Sequence, residues 1–431
     1  MEIHPPVYPL SRDAFKRALA TGHGRALIHA GNFDVAAYSD EIREAATTCL
    51  VYDTQFDGYR EWWLAGLCKA AGLIDTIIDL PPEGSAKDQA QRAALLKEFL
   101  KMGHEAALSK LYDMCSFDHP DHEIHGCNEL IEADGERGLL FVARRLGGML
   151  ARDPDYWISD WQVTFFDELY GPGRARAVLE EAAPSDGDVQ AYLKEIRSLE
   201  LKEEVGKSAT QEAIEPVEQI LNLIKTSTKR ESGLRRWGKR AALGDRAKVA
   251  GLLTTESSPV ILINTLLCLA GSGLPSVDEG FLQLVFHEDD DVRFHATRVF
   301  VHHDEPQVRL AGLALLNSGD LLAGTAMLRL SARSGDSGVI LTALARIKPS
   351  EDDHGILSNL VELLERNDAI REPLIPLYIY EFSPCMVCRE RAVEILIKWG
   401  ACPQWVLDEA AQDASSDIRL LVGSLSQPGV P

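Results

Sequence analysis

The stretch Asp289-Asp290-Asp291-Val292-Arg293-Phe294-His295-Ala296 decides how this chain is read. A branched apolar residue is followed by arginine, with a small residue four positions after the first. That spacing puts Val292 and Ala296 on one face of a helix, one turn apart. The acids before it cap the exposed N–H groups of a helix start and complement its positive end, and the small residue lets a paired helix approach closely. The pattern recurs as Val308-Arg309 to Gly312, Cys388-Arg389 to Ala392 and Ile418-Arg419 to Val422, and as Ile370-Arg371 reaching Leu374. Copies without the arginine begin at Val260 and Val339. Starts at 260, 292, 339, 370 and 418 include intervals of 31 and 32 residues, which suits one helical hairpin per repeat. The copies at 308 and 388 fall out of step, so the array is degenerate.

Outside the repeats, apolar residues still recur at spacings of three and four, and the period of two that a half-buried strand needs is almost absent. Leu64, Leu67, Cys68 and Ala71 form one stripe, and Leu95, Leu96, Phe99 and Leu100 another. Leu139, Leu140, Val142, Ala143 and Leu146 form a third, and Leu360, Val361, Leu363 and Leu364 a fourth. Each implies an amphipathic helix with one buried face. Breaks such as Pro81-Pro82-Glu83-Gly84, Gly171-Pro172-Gly173 and Gly273-Leu274-Pro275-Ser276 separate them. The expected fold class is all-α, an α-solenoid of antiparallel helix pairs over residues 229–425. It is preceded by a less regular helical region, 1–205, of atypical or capping repeats. Residues 206–228 connect the two, and 426–431 form a tail.

Composition narrows the function classes. With 45% apolar and 26% charged residues, the 431-residue chain is globular rather than disordered. A net charge of −22 opposes non-specific attraction to nucleic acid or anionic membrane by the molecule as a whole. The amino terminus lacks the basic region and apolar run of a secretory signal, and the longest apolar stretch, Val260 to Ala270, is far short of a membrane span. A cytoplasmic protein without a membrane segment is expected. Its eight cysteines are spread through a large chain, which favours reduced thiols over a disulfide framework. No nucleophile elbow, Walker loop or strand-borne glycine-rich loop occurs, and neither catalytic residues nor a cofactor are expected.

The Asp-x-x-Val-Arg-x-x-Ala pattern resembles HEAT repeats of the phycobilisome-lyase-like type, over about residues 229 to 425. Residues Ser383 to Ala392 also resemble uncharacterised bacterial HEAT-repeat proteins. The resemblance implies a stack of antiparallel helix pairs with a concave binding face. Repeat architecture together with the absence of a catalytic motif leads to the expectation of a non-enzymatic interaction scaffold whose protein partner is unknown. A lyase- or isomerase-type accessory role, as in bilin-attachment proteins that share the repeat, is the alternative it carries.

Three groups of residues are candidates for specific chemistry. Between Lys225 and Lys248 lie nine basic residues against two acids, net +7, leaving −29 for the remainder. Arg235, Arg236, Lys239 and Arg240 fall at helical spacing with Trp237 beside them. Together they could make an anion-, partner- or nucleic-acid-binding face, or a cationic helix that docks on the acidic remainder. Cys115, His119, His122, His125 and Cys127 are a dense set of potential metal ligands, in a spacing that matches no standard zinc module and suits a solvated loop equally. Cys385-x-x-Cys388 sits at an expected helix start, where the helix dipole lowers a thiol pKa, making redox or metal chemistry conceivable. Against that stands a packing role for Cys388, and no histidine follows His354 to complete a site.

Overall fold

The computed structural model of the chain describes residues 2–81, 83–117, 124–206, 214–347 and 353–425. Among the described residues the regular elements are all helical, with no strand, and no helix is long and apolar enough to cross a membrane. The helices needed below are α1 (Arg12–Thr21), α2 (Arg25–Asn32), α3 (Glu61–Ala70), α4 (Ala86–Lys101) and α5 (Cys127–Arg152). They are followed by α6 (Leu234–Arg240), α7 (Pro259–Leu269), α8 (Asp290–Phe300), α9 (Pro306–Ser318) and α10 (Leu321–Ser331). The last are α11 (His354–Arg366), α12 (Leu374–Phe382), α13 (Met386–Lys398) and α14 (Ser416–Leu425).

The four apolar stripes lie mostly buried on α3, α4, α5 and α11, with Leu100 and Leu140 half-buried and Ala71, also half-buried, just past the end of α3. Leu67, Cys68, Leu95, Leu96, Phe99, Leu139, Leu360 and Leu363 are wholly inaccessible, each worth about 1.5–3 kcal/mol of burial for a large side chain. The helix α5 is broken at Asp134 and Gly135, where the backbone leaves helical angles and Gly135 takes φ 52°.

Two compact units make up the chain, one of Gln211–Val406 with Met1–Pro5, the other of Pro6–Thr210 with Leu407–Pro431. The division near residue 210 falls close to the connecting region read from sequence. Residues 407–425, however, leave the expected 229–425 array and pack in the amino-terminal unit. Specific bonds hold them there: Ala414 N donates to Gly22 O at 2.9 Å, and Arg25 Nε donates to Glu409 Oε2 at 2.9 Å with both side chains buried. The Arg419 guanidinium lies 4.2 Å from the centre of the Trp62 ring. A Cβ on Gly24 would fall 1.9 Å from Glu409 O, so only glycine allows this approach.

In the unit of Gln211–Val406, α6 packs on α7, α7 on α8, α8 on α10, α10 on α11 and α11 on α13. Beside this row α9 packs on α10 and α12 on α13. Val292, Val308, Leu266, Phe300 and Met327 belong to one continuous core.

The repeated pattern works as capping and packing chemistry. Val292, Val308, Cys388 and Ile418 are buried, as are Ala296, Gly312, Ala392 and Val422 four positions on. Asp289 accepts from Val292 N at 3.0 Å, and Ser415 Oγ from Ile418 N at 3.3 Å, so both copies begin with a side-chain cap. The arginine has a shared role in these two copies. Arg293 Nη1 donates to His287 O and Glu288 O at 2.6 and 3.0 Å, and Arg419 Nη1 to Asp413 O and Ala414 O at 2.5 and 3.0 Å. In each case the acceptors lie six and five residues back, so the arginine ties its helix to the incoming loop. Arg309 instead reaches forward to the buried carboxylate of Asp336, Nε to Oδ2 at 2.7 Å. The copy at Ile370-Arg371 is not a helix start: both residues lie in the loop between α11 and α12. Pro373, immediately before α12, disfavours helical angles in the residue preceding it, and Asn367 anchors the loop through Leu330 O and Ala332 O.

Arg25→Ala would remove the guanidinium from the buried Glu409 carboxylate, at a cost of about 3–5 kcal/mol. Urea unfolding followed by circular dichroism should show that loss, and Arg25→Met combined with Glu409→Leu should recover most of it. An unchanged midpoint in the single variant would mean the pair does not hold residues 407–425 in place.

Candidate functional site

The basic segment is positioned by two close contacts. Buried Asn264, on α7, accepts from Glu231 N at 2.9 Å and donates to Lys229 O at 3.0 Å, clamping the loop that leads into α6. Gly238 then lies against the end of α7, where a Cβ would stand 1.7 Å from Cys268 O. With the backbone so placed, the four-residue helical repeat separates the cations into two rows.

Arg235 and Lys239 line a groove of about 790 Å³ together with Arg293, Phe294 and Arg298 of α8, Arg329 of α10 and His354 of α11. Arg236, Arg240 and Trp237 line a different cavity of about 280 Å³. Trp237 is also a core residue rather than an exposed platform, since it is 6% accessible and its Nε1–H donates to Glu215 O at 2.8 Å. The five residues read as one binding face are therefore divided between two places.

Charge in the groove is unevenly compensated. Arg235, Lys239, Arg293, Arg298 and Arg329 face it with the carboxylates of Asp290, Asp320 and Glu362. Arg293 pairs with Asp290, and Arg329 Nη1 with Glu362 Oε2 at 2.7 Å. Among the described residues, Arg235, Lys239 and Arg298 have no ion-pair partner, and Arg298 lies 5.4 Å from the Phe294 ring centre. Desolvation, followed by repulsion from Arg235 and Arg230, lowers the Arg298 pKa. A bound anion would relieve that repulsion.

Next to Phe294 on α8, buried His295 is held neutral. Burial pushes its pKa down to about 4, with Arg230, Arg298 and Arg235 adding to the fall and Asp291 opposing it. Below the ordinary histidine range the unfolded chain binds the proton more readily than the folded one, so this contribution is intact above pH ~6.5 and is lost as pH falls toward 4. The expected loss is on the order of 2 kcal/mol. Denaturant midpoints measured at pH 7 and pH 5 should differ less for His295→Asn than for the native sequence, and equal differences would sink the assignment.

The two cysteine clusters separate sharply. Cys115 and Cys127 are buried, and their thiols donate to His125 O and Ile124 O at 3.4 and 3.6 Å. The neighbouring Cys127 thiol and burial raise the Cys115 pKa, keeping its proton in place. His119 and His122 lie outside the described residues. The described members, Cys115, His125 and Cys127, do not bring three ligating atoms together.

Cys385 and Cys388 do gain a third member, His354. Cys385 occupies the N-cap position of α13, Cys388 lies in its first turn, and His354 heads α11. Cys388 Sγ is 3.5 Å from His354 Nε2, and the three ligating atoms lie within 4.8 Å of one another. A hydrogen bond from Cys388, with further help from His354 and the backbone, draws Cys385 toward the thiolate against the effect of burial. Cys388 correspondingly keeps its proton. The histidine comes from 34 residues upstream, beyond any local spacing signal. Chemically this trio can hold a soft cation, whereas the groove can hold an anion.

No protein-family model matches the sequence, and no curated protein and no solved structure matches it either.

Proposed function

We propose that Gln211–Val406 is a HEAT-like helical-repeat interaction module, non-enzymatic, that docks an acidic segment of a partner protein in the groove between α6, α8, α10 and α11. The observation that carries this reading is the set of three cations, Arg235, Lys239 and Arg298, that face the groove without carboxylate partners among the described residues of an acidic chain. A cavity of about 790 Å³ takes several side chains of an extended or helical peptide.

The mixed lining favours a peptide over nucleic acid. Asp290, Asp320 and Glu362 would repel a continuous phosphate backbone, whereas a peptide can place its acids against the free cations alone. Phe294 and Leu322, 45% and 44% exposed, offer the apolar contacts that a peptide side chain uses. The setting proposed is the cytoplasm, whose reducing conditions suit eight free cysteines.

A fluorescein-labelled peptide of alternating glutamate and leucine should bind the full chain, with an anisotropy signal that weakens as salt rises. Arg235→Glu with Arg298→Glu should cost tenfold or more in affinity, about 1.4 kcal/mol or above. Arg236→Glu with Arg240→Glu, outside the groove, should change it little. Equal losses in the two double variants would remove the groove from the reading. Equal competition by a single-stranded oligonucleotide would move it to nucleic acid.

A further inference from the structure

The Cys385, Cys388 and His354 side chains have a geometry that packing alone does not require. Their ligating atoms come from the starts of two helices that pack side by side, α11 and α13. The sulfurs are buried, with Cys385 at 6% and Cys388 at 3% exposure, while His354 also lines the groove. Around a tetrahedral zinc ion, with metal–sulfur bonds near 2.3 Å and metal–nitrogen bonds near 2.0 Å, adjacent sulfur and nitrogen ligands stand about 3.5 Å apart. The Cys388 Sγ to His354 Nε2 separation is 3.5 Å. Ser383 pins the turn that carries the first sulfur, accepting from Cys385 N at 3.3 Å and donating to Cys385 O at 3.2 Å.

We propose that His354, Cys385 and Cys388 form a three-ligand site for a thiophilic cation of the zinc class. Two thiolates balance the dication, and the imidazole enters neutral through Nε2. Binding displaces the thiol proton of Cys388, and that of Cys385 wherever it is still present, to solvent. Three protein donors occupy three corners of a tetrahedron and leave the fourth to water or another exogenous donor, the pattern of an open rather than a closed structural site.

The test uses the full, reduced chain. Cobalt(II) titrated without oxygen should produce thiolate-to-metal charge-transfer absorption that saturates at one equivalent and is bleached by zinc. Cys388→Ser and His354→Ala should lose the intense tetrahedral signature, while Cys402→Ser keeps it, with circular dichroism confirming that each variant is folded. A second measurement needs no variant: zinc should shield Cys385 and Cys388 from iodoacetamide, read residue by residue by mass spectrometry. Absence of charge transfer in the folded native chain would overturn the proposal. So would protection falling on Cys115 and Cys127 in place of Cys385 and Cys388.

Discussion

The cationic groove of Gln211–Val406 depends on the contact at Gly238. There the basic helix rests against the carbonyl of Cys268 at a distance no other side chain would permit. The contact fixes the rotation of α6 about its axis, and that rotation decides which cations reach the groove. Asn264 reinforces it from the same neighbouring helix by satisfying the backbone on both sides of Arg230. A buried amide that makes such bonds is costly to misplace, so the loop has one setting. Lys239 extends the arrangement by laying its stem over Gly271, where a Cβ would meet Lys239 Cγ at 2.6 Å. Small residues here serve placement of charge as much as density of packing.

A second regularity is the arginine of the repeat. In two copies it donates to carbonyls six and five residues back, although Arg293 and Arg419 belong to different compact units. The guanidinium supplies several donors in one plane, which suits two consecutive carbonyls of a turn. Lysine would reach the same place without the fork. The pattern thus describes how a helix is entered, and it does not by itself say which helices stack together. That is why Ile418-Arg419 could share the motif of Val292-Arg293 and yet pack with the amino-terminal helices.

Groove and thiol cluster come close to each other in a chemically informative way. His354 contributes to both, lining the cationic groove and facing Cys388. Desolvation and repulsion from Arg235 and Arg230 lower the Arg298 pKa, and a hydrogen bond from Cys388 lowers that of Cys385.

Helical class, the buried stripes and the caps were legible in the sequence because each depends on residues three or four positions apart. Leu360, Val361, Leu363 and Leu364 can form one buried face only if that segment is helical. The separation of Arg235 and Lys239 from Arg236 and Arg240 was not legible there, because the four span one broad helical face that only the neighbouring elements divide between two cavities. Burial of Trp237 was not, because it depends on a partner carbonyl at Glu215. Tertiary structure alone joined His354 to Cys388 across 34 residues and Arg25 to Glu409 across 384. Periodicity records which face of a helix is apolar, a local property of backbone geometry. Which other helix covers that face is decided by shape and charge contributed from distant parts of the chain, and no local spacing encodes it.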